Sequence, residues 1–374
     1  MTTTPITLSR LYTFPVKSMK GIRQSQSHAG ETGLSFDRNF MITDETGKFI
    51  TARRYPQMVL FTPVLLSNGI YLRSPEGSGA TILFEDFRPD HLPCEVWGNH
   101  FTSLLAPEKI NQWLCQFFDI PVQMRWLSPQ STRRVKKFPD TAVSFADGYP
   151  YLVVNEASFR EVQRRCGAGI KIEQFRGNII VTGAEPFAED RWKTIQVGDV
   201  VFDLKKPCSR CILTTVSTDK GIKHPEMEPF HTLQTFRKAA ENDDVDFGMN
   251  AIARNSGVIQ VGDTVTVLET REPRQYQEQI VEKVQTAPAQ PETALELTFN
   301  GKLYPVNNQH VLLEQLEGHQ VNIPYSCRAG VCGCCRVTLV SGDVTPLKAG
   351  AIKENGDILA CSCIPKTNIT IRHR

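Results

Sequence analysis

The chain of 374 residues contains no apolar run approaching the roughly 18 residues that a membrane-spanning helix needs, so no segment reads as a span. It also has almost no net charge. With 42 Lys and Arg against 40 Asp and Glu the balance is +2, which removes any global electrostatic case for a nucleic-acid or membrane partner and confines anion recognition to local sites. The opening MTTTPITLSRLYTFPVKS lacks the apolar core of a secretory signal, and the expected location is cytoplasmic. Cysteine, by contrast, is plentiful: the chain has 11, clustered in metal-like spacings that a reducing compartment keeps as thiols, so they read as a ligand inventory. The length leaves room for two or three cores.

The clearest cluster is PYSCRAGVCGCC, which spaces Cys327, Cys332 and Cys335 as C-x4-C-x2-C, with Cys361 supplied later by ILACSCIPKTNITI. This is the spacing with which thiolates hold a plant-type [2Fe-2S] cluster, a loop wrapping one face and a distant strand closing the other. Zinc competes for such patterns, but a zinc ribbon pairs two C-x2-C hooks. Here the first gap is four residues and contains Arg328, Ala329 and Gly330, small or positive groups suited to a tight loop around an anionic cluster. Cys334 and Cys363 then read as neighbouring thiols. The choice of Cys361 over Cys363 rests on a resemblance, since Leu359, Ala360, Cys361, Pro365 and Ile369 follow the ferredoxin pattern.

Upstream of residue 270 the pattern is mostly short alternating strands broken by Gly and Pro, as at Ile6 to Val16, Val59 to Leu66, Ile179 to Val181 and Thr264 to Leu268. Helical spacing is confined to PEKINQWLCQFF and NEASFREVQRRC. The expected class is mainly β, or α+β, with two packed barrel-like parts over residues 1–124 and 125–269. Residues 270–293, rich in Gln, Glu and Pro, read as a linker. Residues 294–374 read as a β-grasp: a hairpin turning at Asn300-Gly301, a helix at VLLEQLEGH, the cysteine loop, and return strands at RVTLVSG and NITIRHR.

A second constellation, KPCSRCILTTVSTDKG, places Cys208 and Cys211 as C-x2-C ahead of residues 212–216, whose β-branched character predicts a strand. Half a zinc site, a redox disulfide, a single thiolate ligand with a neighbour, and a plain structural turn all fit this weak pattern. The basic run Arg133, Arg134, Lys136 and Lys137 reads as a solvated loop, with a phosphate-facing role as the sharper alternative.

Six ordered motifs resolve the ambiguity by resemblance. YTFPVKSMKG, FDRNFMITDETGKFITARRYPQMVL, FADGYPYLVVNEASF, FRGNIIVTGAEPFAEDRWKTIQVGDV, CSRCILTTVSTDKG and VIQVGDTVTVL together resemble the MOSC family. Within it they are similar to the amidoxime-reducing components, here with a ferredoxin-type domain appended. The resemblance implies a MOSC N-terminal β-barrel part, a MOSC β-barrel domain, and a molybdenum cofactor of the pterin type. It implies that Cys211 coordinates molybdenum, that Lys17, Ser18, Arg38, Arg176 and Asn178 bind the pterin and its phosphate, and that Asp147 is an acid beside the metal, as proton donor or water-orienting group. Soft thiolate and cationic or amide donors are the groups such a cofactor requires. The sequence departs from the family pattern at Asp147-Gly148-Tyr149-Pro150 and at Arg176-Gly177-Asn178, and the first change bears on substrate scope.

The implied activity is reductive removal of oxygen from N-hydroxylated compounds: hydroxylamines, amidoximes and N-hydroxylated base analogues, a detoxifying role. Electrons would enter singly at the [2Fe-2S] cluster from a flavoprotein reductase and reach the molybdenum centre within one polypeptide. The alternative is a sulfur-transfer protein in which Cys211 carries a persulfide; no cysteine-desulfurase segment accompanies it.

Overall fold

The computed structural model describes residues 5–128, 130–242, 244–277, 292–325, 330, 333–347, 350–353 and 355–373. The chain divides into one unit of Met1–Cys208, Leu213–Thr232 and Asp246–Arg274, and a second of Ser209–Ile212, Leu233–Val245 and Gln275–Arg374.

The first unit is mainly β. Its largest sheet has eight strands in the order Ile22–Gln24, Thr7–Thr13, Ile179–Thr182, Tyr151–Asn155, Asp246–Ala253, Val200–Ser209, Trp192–Val197 and Val265–Thr270. The central strand YLVVN is buried at every position and runs parallel to Ile179–Thr182, which explains why it reads as a continuous apolar run rather than an alternating one. A four-stranded sheet joins Phe40–Thr43, Gln123–Trp126, Asn99–Leu105 and Leu92–Val96, and a three-stranded meander covers Thr62–Leu83. Apolar side chains gather in separate cores, among them one around Phe40, Met58, Phe61, Leu114 and Met124 and one around Leu11, Tyr151, Ile195, Phe202 and Met249.

Both expected helices form. Glu108–Cys115 buries Ile110 and Leu114 four residues apart. Glu156–Cys166 starts where the Asn155 side chain accepts the Ala157 N–H at 3.0 Å and stops at Gly167, whose φ of 66° is left-handed. A third helix, Phe230–Phe236, was not expected; it is only two turns long and follows Pro229, too short for a periodic signal.

Two further readings are corrected. The residues after Cys211 form a 3-10 turn, Ile212–Thr215, not a strand. Thr214 and Thr215 are buried, and the Thr214 carbonyl accepts from Gln174 Nε2 at 2.8 Å, so tertiary contacts override β propensity. The segment expected to begin a linker at Thr270 is anchored through Gln277. Arg271 donates to the Trp192 carbonyl at 2.7 Å, Arg274 pairs with the buried Asp246 at 2.7 Å, and Tyr276–Gln277 pairs with Lys238–Ala239. The rest of that segment, residues 278–291, lies outside the described residues.

In the second unit, a five-stranded sheet runs Lys302–Asn307, Ala294–Phe299, Ile369–His373, Arg336–Ser341, Asp357–Leu359. Ala294–Phe299 and Ile369–His373 are parallel, and the helix Leu312–Gly318 buries Leu312, Leu313 and Leu316 in the same apolar core as the sheet. Its first hairpin turns at Asn300-Gly301, both left-handed at φ 50° and 78°, as a two-residue type I′ turn requires.

Candidate active site

Three loops of the first unit are stitched together by their backbones. Lys17 N–H donates to the Phe40 carbonyl at 2.8 Å, Arg38 N–H to Phe14 at 2.8 Å, and Phe145 N–H to Arg38 at 2.9 Å. The stitching brings PVKS, FDRN and FADG, distant in sequence, to one place.

Asp147 is the centre of this site. Its Oδ1 accepts from the Lys17 ammonium and from Trp97 Nε1 at 3.0 Å, while its Oδ2 pairs with Arg53 Nη2 at 3.0 Å. The carboxylate is half-exposed, and desolvation by its surroundings would raise its pKa, but the charges of Lys17 and Arg53 outweigh this and hold it well below the usual range. Lys17 is 5% exposed, and burial pulls its ammonium down to about 8 despite the opposing pull of Asp147. Its remaining bond, to the Phe145 carbonyl at 2.8 Å, fixes the side chain against the same loop.

Arg133 corrects the reading of its basic run. It is 4% exposed, with Nη1 donating to the carbonyls of Ser144 and Ala146, the latter at 2.8 Å, and its guanidinium over the Phe101 ring. Burial lowers its pKa to about 10. Arg134, Lys136 and Lys137 are exposed, as a solvated loop would be. Arg53, Trp97 and Arg133 were not among the expected site residues. Arg53 lies inside the quoted motif FITARRYPQ and Arg133 in the basic run, both usable signals; Trp97 had none.

Arg38 and Arg176 form a second group, lying 4.5 and 4.3 Å from the Phe14 ring centroid. Arg38 Nη2 donates to the Arg176 carbonyl at 3.0 Å, Arg38 also pairs with Asp37, and Arg176 Nη1 donates to the Met19 carbonyl at 2.7 Å. Ser18, Arg38, Trp97 and Arg176 all adopt left-handed backbone, at φ 69°, 51°, 54° and 56°. Non-glycine residues held there store strain, and its concentration on four residues of this site marks a constraint beyond folding. Asn178 is differently placed: its Nδ2 donates to the Tyr12 carbonyl at 3.1 Å and its Oδ1 accepts from Leu152 N–H at 3.2 Å, so the amide ties two strands together.

Cys208 and Cys211 are half-buried at either side of Ser209 and Arg210, where the strand Val200–Ser209 ends. Arg210 N–H donates to the Val245 carbonyl at 2.7 Å, which anchors the tip of the CSRC loop. In the first unit, five cations (Lys17, Arg38, Arg53, Arg133, Arg176) accompany two carboxylates (Asp37, Asp147). Such an excess of positive donors fits an anionic, phosphorylated pterin.

In the second unit Cys335 and Cys361 are buried, and the Gly330 N–H donates to Cys361 Sγ at 3.1 Å. An amide hydrogen bond to sulfur is the contact a cluster thiolate receives, so this residue fits the group. Cys363 Sγ instead donates to the Ala351 carbonyl at 3.8 Å, and burial pushes its thiol up to about 12. Cys334 is exposed. Cys327 and Cys332 lie outside the described residues, and among the described residues no group of three metal-ligating side chains assembles.

Comparison with known proteins agrees with this division. The MOSC N-terminal beta barrel domain matches residues 5–121, the MOSC domain residues 140–266, and the 2Fe-2S iron-sulfur cluster binding domain residues 297–366. The mitochondrial amidoxime-reducing component 1 of Mus musculus is 29% identical over 283 residues, 70% of this chain and 82% of that protein. The human component 1 is 29% identical over 282 residues, 70% and 83% of the two chains. The component 2 of Rattus norvegicus is 30% identical over 285 residues, 69% of this chain and 82% of that one. No helix among the described residues is long and apolar enough to cross a membrane. The chain belongs to the family of the amidoxime-reducing components, oxidoreductases built on a MOSC body for a molybdenum cofactor, and it carries a 2Fe-2S cluster domain after that body.

Proposed function

We propose that this protein reduces N-hydroxylated compounds, among them hydroxylamines, amidoximes and N-hydroxylated base analogues, with electrons that pass through its own 2Fe-2S cluster. The observation that carries the reading is the presence, in one polypeptide, of a MOSC body like that of amidoxime-reducing relatives and a cluster-binding domain. The balance is R–NHOH plus two electrons and two protons giving R–NH2 and water. A flavoprotein reductase is the class of donor that suits a one-electron acceptor of this kind.

The bound cofactors supply single-electron transfer at the cluster and two-electron oxygen removal at molybdenum. The residues of the chain have four tasks. Cys211 offers the soft thiolate for molybdenum, and Cys327, Cys332, Cys335 and Cys361 those for iron. The Gly330 N–H on Cys361, against the core-facing Cys363, supports Cys361 as the fourth iron ligand. Lys17, Ser18, Arg38 and Arg176 hold the anionic pterin, while Asn178 frames the strands behind them. Asp147, kept ionised by Lys17 and Arg53, is suited to orienting water or accepting a proton at Oδ1 rather than to donating one; Lys17 Nζ, with its lowered pKa, is the better donor. Gly148 leaves open space beside Asp147 and Tyr149 packs edge-on against Phe138, which together shape the substrate side of the loop.

The test is metal content of anaerobically purified protein by mass spectrometry, then amidine formation from an aromatic amidoxime under a reduced viologen dye. About two irons and up to one molybdenum per chain are expected. Iron without molybdenum from molybdate-fed cells, or dye oxidation that does not depend on substrate, would overturn the reading.

A further inference from the structure

On the first unit, next to the loop that carries Asp147, lies a cleft of about 590 Å³, a size typical of small-molecule sites. One wall is a stack of three half-buried rings. Phe36 and Phe84 are 5.9 Å apart and 3° from parallel, and Phe84 and Trp126 are 4.9 Å apart at 28°. Stacked rings with an accessible side accept a further flat ring by dispersion and quadrupole complementarity.

The same cleft is lined by two buried polar residues whose hydrogen bonding is incomplete. Ser128 is 7% exposed and Arg133 4%, yet Ser128 Oγ and Arg133 Nε find no hydrogen-bond partner among the described residues. Buried donors of this kind cost free energy unless a ligand or solvent satisfies them. A hydroxyl and a guanidinium N–H are both donors that a carboxylate accepts. Arg134 adds an exposed cation at the rim, and Glu31, whose Oε1 accepts the Ala142 N–H at 3.2 Å, offsets one of the two positive charges. The net of one positive charge matches a monoanion.

We propose that this cleft is a second binding site, for a planar aromatic compound carrying a single carboxylate, its ring on the Phe36–Phe84–Trp126 stack and its carboxylate on Ser128 and Arg133. The site is distinct from the cluster around Asp147, but the two share Arg133. Arg133, which lines the cleft, also holds the carbonyls of Ser144 and Ala146 through its guanidinium, so an occupant touches the residue that positions the Asp147 loop.

The experiment is calorimetric titration of the full-chain holoprotein with 2-naphthoate and with its neutral counterpart 2-naphthamide, in the wild type and in Ser128→Ala and Thr32→Trp, each checked for folding by circular dichroism. Thr32 is an exposed residue at the cleft mouth, where an indole would block entry. The expected result is one saturable site for naphthoate. The amide and Ser128→Ala should each weaken binding about tenfold, the loss of a hydrogen bond to a charged group, and Thr32→Trp should abolish it. Absence of saturable naphthoate binding to the wild type, or affinity unchanged in both folded variants, would overturn the proposal. Binding is read directly, so neither result depends on whether N-hydroxylated compounds are reduced.

Discussion

At the scale of single residues, the site turns on how charge is buried. Lys17 keeps its proton to about pH 8 in the folded chain, against 10.5 in the unfolded one. Between those values the unfolded state binds more protons, so stability rises with pH through this window, while below it the buried charge is a constant penalty. In cofactor-free protein, wild type should gain stability relative to Lys17→Met between pH 8 and 10, read as a difference in urea midpoints; parallel curves would show that Lys17 does not titrate there. Arg133 makes a second case. Arg133→Met leaves the buried carbonyls of Ser144 and Ala146 without their donor, and a loss of about 3 kcal/mol is expected in urea unfolding. Lys17, Arg38, Asp147 and Arg176 could be read from motifs. Arg53 lay within a motif but was not assigned, and Trp97 lay in none: they reach Asp147 across 94 and 50 residues of chain, and nothing in either side chain itself announces a partner that distant.

At the scale of elements, local signals were reliable where they were sufficient by themselves. Asn300-Gly301 between alternating strands specifies its hairpin because only left-handed backbone closes a two-residue turn with the right twist. Nothing lies within 4 Å of a Cβ built at Gly301, so Gly301→Ala isolates the backbone term. It should destabilise the cluster-binding domain by roughly 1–2 kcal/mol in thermal unfolding followed by its visible absorbance; a neutral effect would mean the turn is not of this type in solution. The helix Glu156–Cys166 was equally legible, with cap, periodicity and stop all present in sequence. Residues 212–216 misled because their β-branched character is a preference for half-buried pleated surface. The fold instead buries Thr214 and Thr215 in a tight turn.

At the scale of the whole molecule, the sequence showed how many functions the chain combines but not where the body stops. Composition drops in apolar content after residue 270, yet Arg271 and Arg274 continue to work for the first unit, one on the Trp192 carbonyl and the other on the buried Asp246. Polar residues that anchor by hydrogen bonds look, in sequence, like a linker. The distinction can be tested by cutting the chain twice. A fragment ending at Gln277 keeps both arginines and the pairing of Tyr276–Gln277 with Lys238–Ala239, and it should fold, bind molybdenum without iron, and reduce an amidoxime when a viologen dye donates directly. A fragment ending at Glu269 loses them and leaves Asp246 without Arg274, a change that costs about 3–5 kcal/mol for a buried pair. It should be insoluble or markedly less stable. If instead the shorter fragment is as stable as the longer one and holds the same molybdenum, the anchoring of residues 270–277 contributes nothing. If the longer fragment accepts electrons from a reductase as well as full-length protein does, the 2Fe-2S domain is not the route by which they enter.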